Sequence, residues 1–94
     1  MKQTETSFKE NVMTELRKIP DSWFFKNVAA SIRGIPDICG HVKGHAIFLE
    51  LKTDTGKMSK LQEYTGGKIL RTGGYFRAMK PSNYRQILDE LKAL

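Results

Sequence analysis

Apolar positions recur along this chain with two different periods, and the switches between them mark out seven elements. Over 6–18, Phe8, Val12 and Leu16 fall every fourth residue, with Met13 and Ile19 beside them, which is the stripe of a half-buried helix. Pro20 and the run PDS end it in a turn. WFFKNV (23–28) is aromatic and predicts a strand, with Trp23, Phe24 and Phe25 assigned to the core in preference to a base-stacking platform. AASIRGIP (29–36) is a loop, broken by Gly34 and Pro36. Two strands follow, DICGHV (37–42) and HAIFLELK (45–52), joined at Lys43-Gly44, and then a polar loop, TDTGKM (53–58). Ser59 with Gln62 three residues on is a capping-box pattern. It opens a helix that runs to about Thr72 and stops at Gly73-Gly74. Gly66-Gly67 inside that helix costs roughly 1 kcal/mol per residue relative to alanine. Close approach to the sheet, to a second chain or to DNA would each explain the pair. YFRAM (75–79) is a short strand, and Pro81-Ser82 opens a last helix carrying Ile87, Leu88 and Leu91. The order α-β-β-β-α-β-α predicts an α/β fold, one sheet covered by helices.

The two central strands carry charges where a sheet prefers apolar residues. If Lys43-Gly44 is a hairpin turn, Val42 faces His45, Ile38 faces Leu49 and Asp37 lies opposite Glu50. Side chains alternate faces, so Ile38, Val42, Ile47, Leu49 and Leu51 form a core face. Asp37, Cys39, His41, Ala46, Phe48, Glu50 and Lys52 take the other. A one-residue slip would scramble the apolar face, which supports the register. Two carboxylates on opposed residues repel unless a positive group sits between them. Lys52 supplies one as a plain ion pair. A divalent cation is the other solution, since Mg²⁺ takes one or two carboxylates and keeps waters. The Leu51 carbonyl, between Glu50 and Lys52, is then a further candidate ligand. His41 and His45 fall on opposite faces and do not share a metal in this register.

Composition narrows the class. With 94 residues the chain fits one domain, 1–94, and 39% hydrophobic with 28% charged residues is a globular rather than a disordered composition. No apolar run approaches the roughly 20 residues of a membrane span. MKQTETSFKE lacks the apolar stretch of a signal peptide, and one cysteine makes no internal disulfide. These features predict a cytoplasmic protein with no membrane partner. The net charge is +6, and the whole excess lies in 23–80, which holds ten basic and four acidic residues. That basic stretch points to a polyanion such as nucleic acid or, more plainly, to a solubilising surface.

Pro36-Asp37, a gap of twelve residues, then Glu50-Leu51-Lys52 resembles the PD-(D/E)XK nuclease pattern. RGIPD (33–37), FLELKTDTGKMSKLQ (48–62) and a glycine pair before the next strand resemble the VRR-NUC branch of that superfamily, over nearly the whole chain. The resemblance implies a restriction-endonuclease-like αβββαβ core, a mixed sheet flanked by helices, here with a C-terminal helix. It implies a DNA endonuclease dependent on Mg²⁺ or Mn²⁺, with Asp37 and Glu50 as metal ligands and Lys52 as the catalytic lysine. Relatives also place a glutamate on the first helix near the metal. Glu5 fits that position, because Glu5, Phe8 and Val12 share one helical face. Gln62 aligns with the motif glutamine and is expected at the lysine or the scissile phosphate, in competition with its capping role at Ser59. Arg33 and Ser31, in the loop leading to Asp37, and Lys43, Lys57, Lys60 and Arg71 are the candidate DNA contacts. Similarity to Holliday-junction resolvases and to stand-alone phage modules implies branched DNA as substrate and a homodimer. The alternatives are a restriction-type sequence-specific nuclease and a DNA-binding module without catalysis.

Overall fold

The computed structural model describes residues 5–28 and 33–94, and for Glu5 and Thr6 it describes the backbone alone. The seven elements appear in the expected order. Helix α1 spans Glu5–Leu16, strand β1 Ser22–Lys26, β2 Ile38–Val42, β3 His45–Leu51, helix α2 Lys60–Arg71, β4 Tyr75–Met79 and helix α3 Tyr84–Lys92. The four strands form one sheet in the order β1-β2-β3-β4. β1 pairs β2 and β2 pairs β3 antiparallel, while β3 pairs β4 parallel. The sheet is therefore mixed. A parallel partner cannot be reached by a tight turn, and α2 provides the crossover from β3 to β4.

The β2–β3 hairpin fixes the geometry of everything that follows. Lys43 and Gly44 both have positive φ, at 49° and 83°, as a two-residue primed turn requires. Val42 therefore pairs with His45 and Ile38 with Leu49, the register expected from the sequence. Ile38, Val42, Ile47, Leu49 and Leu51 are all buried on one side. There they meet Phe8, Val12, Met13 and Leu16 of α1 and Ile87, Leu88 and Leu91 of α3 in one hydrophobic core. α1 and α3 thus cover one face of the sheet.

α2 lies across the opposite face, with β4 as its main partner. Gly66 is the contact point. A Cβ at that position would fall 2.7 Å from Cδ2 and Cζ of Phe76, so the helix can approach only because residue 66 has no side chain. Close approach to the sheet is therefore the reason for the first glycine of the pair. At Gly67 the nearest atom is the tip of the Arg71 side chain, 3.2 Å away, and nothing in the packing demands glycine there.

Helix α1 ends at Leu16 rather than at residue 18 and β3 at Leu51 rather than at Lys52, and three further boundaries differ from expectation. The aromatic strand is Ser22–Lys26 rather than 23–28, and only Phe24 of its three aromatics is buried. Trp23 is 60% and Phe25 41% exposed, because β1 is an edge strand and α2 sits towards the far side of the sheet. The last helix begins at Tyr84 rather than at Pro81-Ser82. Asn83 first closes a turn there, its Oδ1 accepting from the Lys80 N–H at 2.7 Å. The third difference, at Asp37, belongs to the site.

Candidate active site

Asp37 is not part of β2, although a strand was expected from that residue. The ladder continues only as far as Ile38↔Leu49 and stops. Pro36 has no N–H, and the chain bends at Asp37. Its backbone carbonyl instead accepts the Asn27 N–H at 2.8 Å. Its carboxylate Oδ2 accepts the Leu51 N–H, also at 2.8 Å. A side chain thus takes the place of a backbone partner at the end of the ladder. The result holds Asp37 beside β3 at the Glu50-Leu51-Lys52 segment. In an extended strand the carbonyl of a residue leaves by the same edge as its N–H, so the Leu51 carbonyl faces the Asp37 side.

Glu50 is 3% exposed and is the one buried charged side chain among the described residues. Oε1 accepts the Gln62 Nε2–H at 3.0 Å. Oε2 is buried with no hydrogen-bond partner among the described residues. Burial raises the Glu50 pKa most, and the adjoining Asp37 carboxyl raises it further, to about 8. Lys52 and Lys9 pull in the opposite direction without cancelling the effect. The carboxylate needs either a proton or a cation to sit where the fold has placed it. Lys52 is half-buried beside it, yet no ion pair within 4.0 Å joins Lys52 to Asp37 or Glu50 among the described residues. The lysine acts on the pair through space and leaves Oε2 open.

Gln62 makes the expected cap, and its side chain also reaches Glu50 rather than Lys52. Its backbone N–H donates to Ser59 Oγ at 3.1 Å, and its Oε1 accepts the Ser59 N–H at 2.9 Å. That completes the capping box of α2 and leaves Nε2 to donate to Glu50. The start of α2 is in this way pinned over the end of β3.

A cleft of ≈ 210 Å³ opens at Asp37, lined by Lys9, Lys26, Asn27, Val28, Ile38 and Leu51 besides. Two of these belong to the candidate site without having been singled out in the sequence. Lys9 of α1 lies at the cleft and favours the charged form of Glu50. Asn27 fixes the corner that presents Asp37: Nδ2 donates to the Pro36 carbonyl and, at 3.1 Å, to Cys39 Sγ. Lys9 was legible only as a polar neighbour of Phe8, and Asn27 only as the polar end of an aromatic run.

The remaining expected residues divide by location. The Glu5 side chain and Ser31 lie outside the described residues. Arg33 is exposed in the loop before Asp37, Lys57 is exposed in the loop before α2, and Lys60 is exposed as the first residue of α2, two before Gln62. Lys43 sits in the hairpin turn at the opposite end of β2, roughly 20 Å of extended strand from Asp37. Its Nζ donates to the Leu94 carbonyl at 2.9 Å. Arg71 is at the far end of α2, about 13 Å along the helix from Gln62. The structure therefore gathers Asp37, Glu50, Lys52, Gln62 and Lys60 at one end and sets Lys43 and Arg71 at the other. No group of three or more His, Cys, Asp or Glu side chains placed to hold a metal occurs among the described residues; Asp37 and Glu50 are two.

The sequence matches no protein-family model. No curated protein matches it either.

Proposed function

We propose that this chain is a metal-dependent DNA endonuclease of the PD-(D/E)XK class, and within it a VRR-NUC-type module. The observation that carries the reading is Glu50: a buried carboxylate with one oxygen bound to Gln62 and the other unpartnered, beside Asp37 and Lys52. A purely structural ion pair would satisfy that oxygen. The donor set suits a hard divalent cation, Mg²⁺ or Mn²⁺, held by Asp37, Glu50 and the Leu51 carbonyl, with Glu5 as a further candidate ligand. Bound there, the cation would activate water and stabilise charge at phosphorus.

The protein's own groups have separate tasks. Asp37 holds its orientation through the Leu51 N–H. Gln62 fixes the rotamer of Glu50. Lys52 presents a positive amine to the scissile phosphate and to the attacking water. Lys9, Lys26, Arg33, Lys57 and Lys60 draw the DNA backbone to the cleft, a sequence-independent attraction. With few elements to read bases, selection by DNA shape follows, and branched DNA such as Holliday junctions or flaps is the proposed substrate. Paired cuts in such a substrate call for two sites, hence a homodimer, acting in the cytoplasm.

The test is cleavage of a four-way junction, a flap and a plain duplex in Mg²⁺, with and without EDTA. Cleavage should be lost in EDTA and fall at least a hundredfold in Asp37→Asn and Glu50→Gln. Equal cleavage by parent and variants would refute the assignment of these residues.

A further inference from the structure

β1 carries a second feature that the cleavage site leaves unused. Trp23 and Phe25 point to the α2 side of the sheet, where they are 60% and 41% exposed. Their rings lie against each other at a centroid distance of 5.2 Å and an angle of 39°. Their cross-strand partners are His41 and Cys39, so no acidic residue is registered against them. Exposing the largest apolar side chain of the sequence on an edge strand has no folding benefit, since both rings could be polar without opening the core.

From these observations we infer that Trp23 and Phe25 form a stacking platform for unpaired bases of a DNA strand whose backbone enters the cleft at Asp37. The inference rests on the nucleic-acid reading above and adds single-stranded character to the substrate. Three facts select this occupant. Bases present flat π-faces, and stacking on aromatic side chains is the sequence-tolerant way proteins hold unpaired strands. The basic excess of the chain lies in 23–80, the segment that contains the platform. The platform also lies on the strand that leads into the cleft. Phe25 is two residues from Asn27, whose N–H bonds to Asp37, and Lys26 and Asn27 line the cleft itself. At about 3.3 Å per strand residue, Phe25 lies roughly 7 Å and Trp23 roughly 13 Å along β1 from Asn27, a spacing of about one and two nucleotides of extended strand. A branched substrate offers such unpaired bases beside its junction.

Trp23 is the only tryptophan in the chain, so its emission reports on the platform directly. The experiment titrates the full chain in EDTA with an oligothymidylate of about ten nucleotides and, separately, with a blunt duplex. Trp23 emission should be quenched by the single strand and little changed by the duplex. Anisotropy of a fluorescein-labelled oligothymidylate then gives affinities for the variants. Trp23→Ala and Phe25→Ala should each weaken binding by roughly 5- to 140-fold, with the salt dependence unchanged because stacking releases no counterions. Trp23→Phe should keep most of the affinity and Trp23→Leu should not. Equal affinity of Trp23→Ala and parent, or of Trp23→Leu and Trp23→Phe, would overturn the platform. So would a Trp23 emission that shifts with protein concentration alone while sedimentation shows a dimer lost in Trp23→Ala, since the face would then belong to a second copy. A chain that binds the oligonucleotide through Trp23 but cleaves nothing in Mg²⁺ would keep the platform and refute the nuclease.

Discussion

Glu50 should make the folded protein less stable as the pH rises through neutrality. In the unfolded chain its carboxyl titrates near 4.5, and in the fold near 8. Between these values the native state holds a proton that the unfolded state has lost, so stability declines with pH across that window. The sign is the reverse of an ordinary salt-bridged carboxylate. The interval from 4.5 to about 8, at ~1.4 kcal/mol per pH unit, sets an upper bound of roughly 5 kcal/mol. That is a large fraction of the 5–15 kcal/mol typical of a small domain. Glu50→Gln removes the titration and keeps the shape. Its amide can still accept from Gln62 and offers an N–H towards Asp37. The assay is urea denaturation in EDTA at intervals from pH 4.5 to 8.5, parent against Glu50→Gln. The parent curve should fall relative to the variant across the window, and the variant should be the more stable of the two at pH 8.5. Parallel curves from pH 4.5 to 8.5 would refute the placement of Glu50 as a buried, unpaired acid.

Two further outcomes follow from the packing. Gly66→Ala should destabilise by about 1–3 kcal/mol through collision with Phe76, less the helix-propensity gain, whereas Gly67→Ala should stabilise by up to about 1 kcal/mol; thermal melting of the two single variants checks the opposite signs. The Cys39 thiol is buried, and burial raises its pKa against a smaller lowering by Asn27. Thiol labelling by a water-soluble disulfide reagent should therefore be slow in native protein and complete on addition of denaturant.

The parity of apolar residues in 37–52 was enough to set the hairpin register, because only one alignment buries Ile38, Ile47, Leu49 and Leu51 together. From that register came the neighbourhood of Asp37 and Glu50. What parity did not reveal was how Asp37 is held. Its bonds to Leu51 N–H and Asn27 N–H depend on where the ladder breaks, a tertiary outcome of Pro36 and of Asn27 ten residues earlier. The exposure of Trp23 and Phe25 was illegible for a related reason. An aromatic run reads as a strand whether it lies at the centre of a sheet or its edge, and β1 is at the edge. Gln62 was legible as a cap and as a site residue, but local pattern alone could not show that one amide has enough atoms for both.

That double use carries a consequence for the identity of residue 62. A capping box accepts glutamate or glutamine equally well at its third position. Here the second contact breaks the tie. A glutamate would keep its bond to the Ser59 N–H but bring a third carboxyl group against Glu50, with no hydrogen to donate when ionised. The polarity of a single amide, acceptor towards the helix and donor towards the sheet, therefore dictates a choice that helix chemistry alone leaves open.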